Sequence, residues 1–240
     1  MTLKAGFSIR RLVRLLALGG ALVVSTAQAS AQESQRDPYE NFNRSMFSVN
    51  EALDKYAARP VAQAYDAAVP LPVKASVGNF FGNVGEVWGG ANNALQGKPA
   101  DAGLGLTRFL INSTVGILGL FDVASELGFE RYNEDFGQTM AVWGVGNGPF
   151  VFLPVVGPRT SRDLLGWAVD TYVDPVSAIQ PESVRIGTSV LRFVDIRAGL
   201  LPADKVVEEA ALDKYAYVRD AYLQRRRNLI YDGRPPRQDD

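Results

Sequence analysis

The 240-residue sequence predicts an all-α protein, and three observations predict it. Apolar residues recur at spacings of three and four between sharp Pro and Gly punctuation, which is the period of a helix with one apolar face. Alternation of period two, the mark of a half-buried strand, never lasts more than a few residues, apart from a candidate hairpin around 149–156. No stretch offers the ~20 apolar residues that a spanning helix needs.

The N-terminus reads as an export signal rather than structure. Lys4, Arg10, Arg11 and Arg14 form a positive region, residues 15–24 an apolar run, and Ala27-Gln28-Ala29 and Ala29-Ser30-Ala31 two overlapping cleavage signals. Residues 1–31 are therefore expected to be a signal peptide cut after Ala29 or Ala31, with a retained N-terminal anchor as the alternative. A single helical domain over 32–233 and a disordered tail over 234–240 follow.

Within that domain, Asp37-Pro38-Tyr39-Glu40 predicts a helix start, with Asp37 as cap, Pro38 first in the helix and Glu40 closing a capping box. Phe42, Met46, Val49, Leu53 and Tyr56 form its apolar stripe, and Arg59-Pro60 closes it; Pro60 opens a short helix that ends near Pro70. Pro72 opens a longer one with Val73, Val77, Phe80, Val84, Trp88 or Val87, Ala91 and Leu95 on one face, stopped by Gly97. Gly78, Gly82, Gly85 and Gly89 run beside that stripe. Each costs about 1 kcal/mol against Ala, so the row predicts close helix packing, either in lipid or in a soluble core. Residues 99–112 and 134–143 read as helices, and Asp122 as the cap of a short one. Residues 144–158 carry no charge but three prolines and four glycines. Such backbone is tolerated when buried, when lining a cavity, or when dipping into a membrane against protein. Thr160 or Ser161 caps the next helix, and Pro202-Ala203-Asp204 opens a long C-terminal helix running to Leu229 and Asp232-Gly233.

Composition excludes more chemistry than any motif includes. Cys and His are both absent, which removes disulfides, thiol nucleophiles, His- or Cys-ligated metals and every triad with a His base. Twenty-five basic residues face 26 acidic ones, and the signal peptide takes four of the basic ones with it, so no positive field recruits nucleic acid. There is no nucleophile elbow and no phosphate-binding loop. Arg225-Arg226-Arg227 suits anionic headgroups or, equally, a helix C-terminus. The expectation is a protein that is no enzyme and uses neither cofactor nor metal.

Several blocks, in order, carry a resemblance. They are Asp37-Pro38-Tyr39-Glu40-x-Phe42-Asn43-Arg44-x-Met46-Phe47-x-x-Asn50-x-x-Leu53-Asp54, then Asn92-x-x-Leu95-Gln96-Gly97 and Arg108-Phe109-x-Ile111-Asn112-Ser113-Thr114-x-Gly116. The run from Glu134-Asp135-Phe136-Gly137-Gln138-Thr139 through Trp143-Gly144-Val145-Gly146 to Gly148-Pro149-Phe150 follows, and then Leu153-Pro154-x-x-Gly157-Pro158-x-x-x-Arg162-Asp163. With these the sequence resembles the MlaA (VacJ) family of outer-membrane phospholipid-transport proteins.

The resemblance implies a ring of amphipathic helices in the inner leaflet of the outer membrane, around a polar-lined channel and beside a trimeric porin. Mislocalised outer-leaflet phospholipid would pass through it to a soluble periplasmic carrier, so that lipid asymmetry is maintained. A porin-associated structural adaptor and a lipid hydrolase are the alternatives, the latter disfavoured by the missing His. Family members typically carry a lipid-bearing Cys after the signal peptide. This sequence has none, which implies either that the helices alone hold it in the outer membrane or that it works as a looser or soluble variant. Arg108, Asn112, Arg159, Arg162 and Asp163 are the candidate channel-mouth or headgroup contacts, because Arg forks match phosphate oxygens; helix capping or internal ion pairing is the competing role for Arg162 and Asp163. Phe150, Phe152, Leu153 and Pro154 are the expected membrane-facing loop.

Overall fold

The structure, a computed structural model, describes residues 37–237. The signal-peptide segment and the last three residues of the tail lie outside it. Helices dominate: α1 (Glu40–Leu53), α2 (Arg59–Ala68), α3 (Leu71–Leu95), α4 (Pro99–Thr114), α5 (Val123–Glu126), α6 (Phe136–Val142), α7 (Ser161–Val173), α8 (Glu182–Gly199), α9 (Leu201–Ala210) and α10 (Lys214–Ile230). The expected hairpin forms, slightly later than placed, from β1 (Phe150–Leu153) and β2 (Gly157–Thr160), with Phe150 opposite Thr160.

Neighbour contacts close on themselves. From α1 they run to β1, β2, α7, α6, α3, α8 and α2, and back to α1 through the turn Asp54–Ala58. The elements therefore form a ring, and no described helix is long and apolar enough to cross a membrane.

The ring is packed with its polar groups inside. Among the described residues, buried polar and charged side chains outnumber buried apolar ones. On α3 the buried face is Phe81, Asn83, Glu86, Gly89, Gly90, Asn92 and Asn93, while Leu71, Val73, Val87 and Leu95 are exposed. On α4 Arg108 and Asn112 are buried, with Leu106 and Leu110 outside. The predicted stripe on α3 is half-buried over Val77, Phe80, Val84, Trp88 and Ala91 and exposed at its ends, Val73 and Leu95, and the fully buried face lies beside it. Exposed apolar surface on this scale marks contact with an apolar phase or a partner.

Several local expectations need correction. Asp37 does not cap α1, whose first residue is Glu40 and whose N-cap, Tyr39, makes no side-chain bond. Instead the Asp37 carboxylate is buried and accepts from Asn43 Nδ2 at 2.7 Å and from the Tyr215 hydroxyl. Pro60 does not start a separate helix. A π turn over Asp54–Ala58, with the Arg59 N–H reaching the Asp54 carbonyl, leads α1 straight into α2. Widening the ladder just before a residue that lacks an N–H accommodates the proline. The long C-terminal helix breaks between α9 and α10, where Asp213 accepts from the Ala216 N–H as a new cap.

The close helix approach also lies elsewhere than in the predicted glycine row. A Cβ at Gly85 would meet nothing within 4 Å, and one at Gly78 only the Asp195 carboxylate at 3.7 Å. A Cβ at Gly105 would sit 3.3 Å from the Glu86 carbonyl oxygen and 3.5 Å from Gly90 Cα, so α3 and α4 meet there. A second seam joins α6 to α7, where a Cβ at Gly166 would lie 2.4 Å from Gly137 N.

Phe150 and Phe152 do not face the membrane. Both are buried and form the apolar core with Tyr215, packed against Met46, Phe47, Val218, Tyr222 and Leu223. Phe47 and Phe152 meet edge to face at 5.4 Å. The alternation of β1 sends these rings inwards, onto α1 and α10. Of the four loop residues only Pro154 is exposed and Leu153 is half-buried, while Val155 at the hairpin tip is 71% exposed.

Candidate functional site

A cavity of about 910 Å³ opens between the loop 144–148, the hairpin and α10. Its shape begins with Gly144. That residue adopts φ +89°, and the bonds from Gly144 N to the Ala141 carbonyl and from Val145 N to the Met140 carbonyl close α6 in a Schellman turn. The uncharged chain then runs along the mouth to β1. Phe150 and Thr160 form the hairpin side, and Gln224, Arg227 and Tyr231 the α10 side.

Arg162, Arg226 and Arg227 line the cavity with one carboxylate, Asp220, and the first two arginines are fixed from behind. Thr160 caps α7 by accepting the Asp163 N–H at 3.2 Å, which sets the Asp163 side chain. Asp163 Oδ1 accepts from Arg162 Nη2 and Arg226 Nη2, both at 2.9 Å, and Oδ2 accepts from the Tyr222 hydroxyl at 2.7 Å. Arg226 also grips Asp135, with Nη1 at 2.5 Å and Nη2 at 3.0 Å. The Gly137–Gly166 contact is what brings these helices near enough: a Cβ at Gly137 would already be 2.9 Å from both Arg226 Nη2 and Asp163 Oδ1.

Electrostatics keep the cluster charged. Burial alone would raise the Asp163 carboxyl, but Arg226, the Tyr222 hydroxyl and Arg162 outweigh it and hold its pKa below the usual carboxylate range. Burial and the facing Asp163 carboxylate both push the Tyr222 phenol up, so it stays a hydrogen-bond donor. A carboxylate held this way is a poor proton acceptor, so Asp163 serves to orient its two arginines and to counter their charge.

The five predicted polar residues do not come together. Arg162 lines the cavity and Asp163 holds it. Arg159 is half-buried on β2, with Nη1 donating to the Pro158 carbonyl at 3.0 Å and no carboxylate partner among the described residues. Arg108 and Asn112 belong to a separate cluster. Arg108 is fully buried, with Nε on Glu86 at 2.8 Å, Nη2 on Asp122 at 2.8 Å and Nη1 on the Ser125 hydroxyl and the Phe129 carbonyl. Asn112 donates to Asp122 at 2.9 Å and accepts the Ala124 N–H at 2.9 Å. Neither lines the cavity; they tie α4 to α3 and α5. Sequence reasoning saw Arg226 only as one of three arginines. Its partners are some 60 and 90 residues away in sequence, and no local pattern shows that.

The family model described as MlaA lipoprotein matches residues 35–229. This chain belongs to the MlaA family. The intermembrane phospholipid transport system lipoprotein MlaA of Escherichia coli K12 is 37% identical over 215 residues, covering 88% of this chain and 85% of that one. Its Haemophilus influenzae counterpart is 31% identical over 209 residues, covering 85% and 83%. A chain solved to give the structural basis for maintenance of bacterial outer membrane lipid asymmetry superposes with a TM-score of 0.72 at 36% identity. That match covers 81% of this chain and 98% of the solved one. The chain therefore shares its fold with that solved structure over four fifths of its length.

Proposed function

We propose that this protein moves phospholipid, taking mislocalised molecules from the outer leaflet of the outer membrane through the cavity on their way to the inner membrane. The observation that carries the reading is the inverted packing: apolar side chains outside, polar groups within, and a cavity of about 910 Å³ with the buried Arg162 and the half-buried Arg226 in its wall. That volume is at the upper end of small-molecule sites, which span roughly 300–1,000 Å³, so a headgroup fits within it. Arg162 and Arg226 face the phosphate, Arg227 adds a positive charge at the rim, and the exposed apolar faces meet acyl chains. Movement of this kind breaks no covalent bond, in keeping with carboxylates locked into ion pairs. On the same reading the protein sits on the periplasmic side of the outer membrane, beside a porin trimer, and passes lipid to a soluble periplasmic carrier. The headgroup role once expected of Arg108 and Asn112 becomes a structural one.

The test is outer-leaflet phospholipid exposure in a strain lacking the gene and complemented with wild type or with Gly146→Trp. Gly146 lines the cavity and a Cβ there meets nothing within 4 Å, so the backbone accepts a large side chain at the cavity wall. Wild type should restore the barrier and Gly146→Trp should not, at equal protein levels. Full restoration by Gly146→Trp would rule out the cavity as the path and leave an adaptor role.

A further inference from the structure

The charges around the cavity can be matched one by one. Arg162 and Arg226 face two carboxylates, Asp163 and Asp135, so that cluster is neutral as a whole. On α10 the buried Arg219 lies 3.7 Å from the buried Asp37 carboxylate and donates Nε to Asp220 Oδ1 at 2.9 Å. Asp37 offsets the charge of Arg219, which leaves the charge of Asp220 unmatched. The second oxygen of Asp220, Oδ2, has no hydrogen-bond partner among the described residues, and its side chain is 52% exposed. Arg227 is the cationic counterpart. It donates Nη2 to the Pro236 carbonyl and has no carboxylate partner among the described residues. The cavity wall therefore carries one unmatched anion and one unmatched cation.

Both project from one face of one helix. Asp220 and Arg227 are seven residues apart on α10, a rise of about 10.5 Å. Gln224 stands between them, and all three line the cavity. The long arginine side chain can close much of that distance, and Arg162 and Arg226 add N–H donors from the neutral cluster. Such a wall complements a zwitterion whose phosphate and ammonium are two carbons apart.

We infer that Asp220 is a specificity-determining residue for headgroups that end in a primary ammonium, so that the cavity takes phosphatidylethanolamine in preference to phosphatidylglycerol. This rests on the phospholipid reading above. The ammonium donates to Asp220 Oδ2 while the phosphate meets Arg227 with Arg162 and Arg226. Phosphatidylglycerol brings the phosphate without the ammonium. Asp220 then meets hydroxyls, and the filled cavity keeps an uncompensated negative charge where the dielectric is reduced.

The test is binding of acyl-labelled phosphatidylethanolamine and phosphatidylglycerol to the purified full chain in detergent. Wild type should favour the ethanolamine lipid about fivefold, the scale of a partly exposed ion pair. Asp220→Asn should bring the ratio to about one with a melting temperature close to wild type. Glu182→Gln removes the same charge from an exposed position on α8 outside the cavity and should leave the ratio unchanged. Glycerophosphoethanolamine, the same headgroup without acyl chains, should compete about a hundredfold more weakly than the lipid, because it buries no apolar chain. Equal affinity of wild type for the two lipids, or a preference that survives in Asp220→Asn, would overturn the assignment. Competition by glycerophosphoethanolamine as strong as by the lipid would make the ligand a soluble phosphoamine and overturn the lipid preference. If wild type binds neither lipid, the phospholipid reading itself fails, and the headgroup assignment with it.

Discussion

Gly166→Ala puts a methyl group between two backbones, and the structure gives its effect a sign opposite to that expected from helix propensity. The new Cβ would lie 2.4 Å from Gly137 N, 2.6 Å from Gly137 Cα and 3.2 Å from the Phe136 carbonyl carbon, all main-chain atoms that cannot rotate away. Ordinary contact begins near 3.5 Å, so α6 and α7 must part by roughly 1 Å. Alanine inside a helix would by itself stabilise by about 1 kcal/mol. Against that, an overpacked methyl costs about 1–3 kcal/mol. The displacement also stretches the Arg226 bridge between Asp135 and Asp163, whose charge-assisted bonds are worth about 1.5–3 kcal/mol each. The net expectation is a loss of about 2–4 kcal/mol, or a melting temperature lower by roughly 5–15 °C at this domain size. Gly85→Ala in α3 has no atom within 4 Å of the added carbon and should stabilise by about 0.5–1 kcal/mol. Thermal and urea unfolding in detergent, followed by circular dichroism, compares the two. If Gly166→Ala melts at or above wild type while Gly85→Ala behaves as stated, the α6–α7 backbone contact is wrong, and with it the origin of the charged cavity wall.

Two further outcomes follow from the second ionic cluster. Arg108→Met leaves Glu86 and Asp122 without their buried cation and should cost about 3–5 kcal/mol in urea unfolding; a loss below about 1 kcal/mol would show that Arg131, 2.8 Å from Glu86, suffices alone. Burial would raise the Asp122 carboxyl, but the Ser125 hydroxyl, Asn112, the Ser125 N–H and Arg108 bring it down to about 2 from an ordinary 3.8. Its folded-state pKa is therefore depressed, so its stabilisation is complete above about pH 4 and disappears as pH falls towards 2. Asp122→Asn should flatten that part of the urea-midpoint profile between pH 5 and 2, and an unchanged slope would assign the acid sensitivity to other carboxylates.

What the sequence made legible is what local chemistry determines. Asp122 and Thr160 cap the helices they were expected to cap, and Gly97 stops α3. The stripes on α1 and α3 were found from their spacing. Periodicity, however, reveals that a helix has two faces and not which one turns inwards. The row of Asn83, Glu86, Asn93 and their neighbours on α3 lies off the apolar stripe and is the buried one. Asp37 read as a cap because Asp-Pro is a local signal, whereas its partners Asn43 and Tyr215 are set by tertiary packing. Glycine spacing along one helix misled for the same reason. A seam needs a glycine on each partner, and Gly90 with Gly105, or Gly137 with Gly166, can be paired only once the helices are placed. Arg162 and Asp163 were legible as a pair, and Arg226 as their common partner was not.

The inverted packing accounts for both the scaffold and the proposed task. Where the surroundings are hydrocarbon, burying apolar side chains gains little, while each unpaired donor or acceptor costs several kcal/mol. Helices in that setting assemble by satisfying one another's polar groups, as Glu86, Arg108 and Asp122 do in one cluster and Asp135, Asp163 and Arg226 in another. Such pairing needs close backbones, which explains why the glycine contacts lie beside the ion pairs. The resulting interior is polar wherever it is not filled, and the space left between the hairpin and α10 inherits walls that a phosphate can meet without shedding all of its hydration partners. On the reading proposed here, the groups that hold the ring closed are also those that make its opening passable. Arg162 and Arg226 do both, each bound to Asp163 behind and facing the cavity in front.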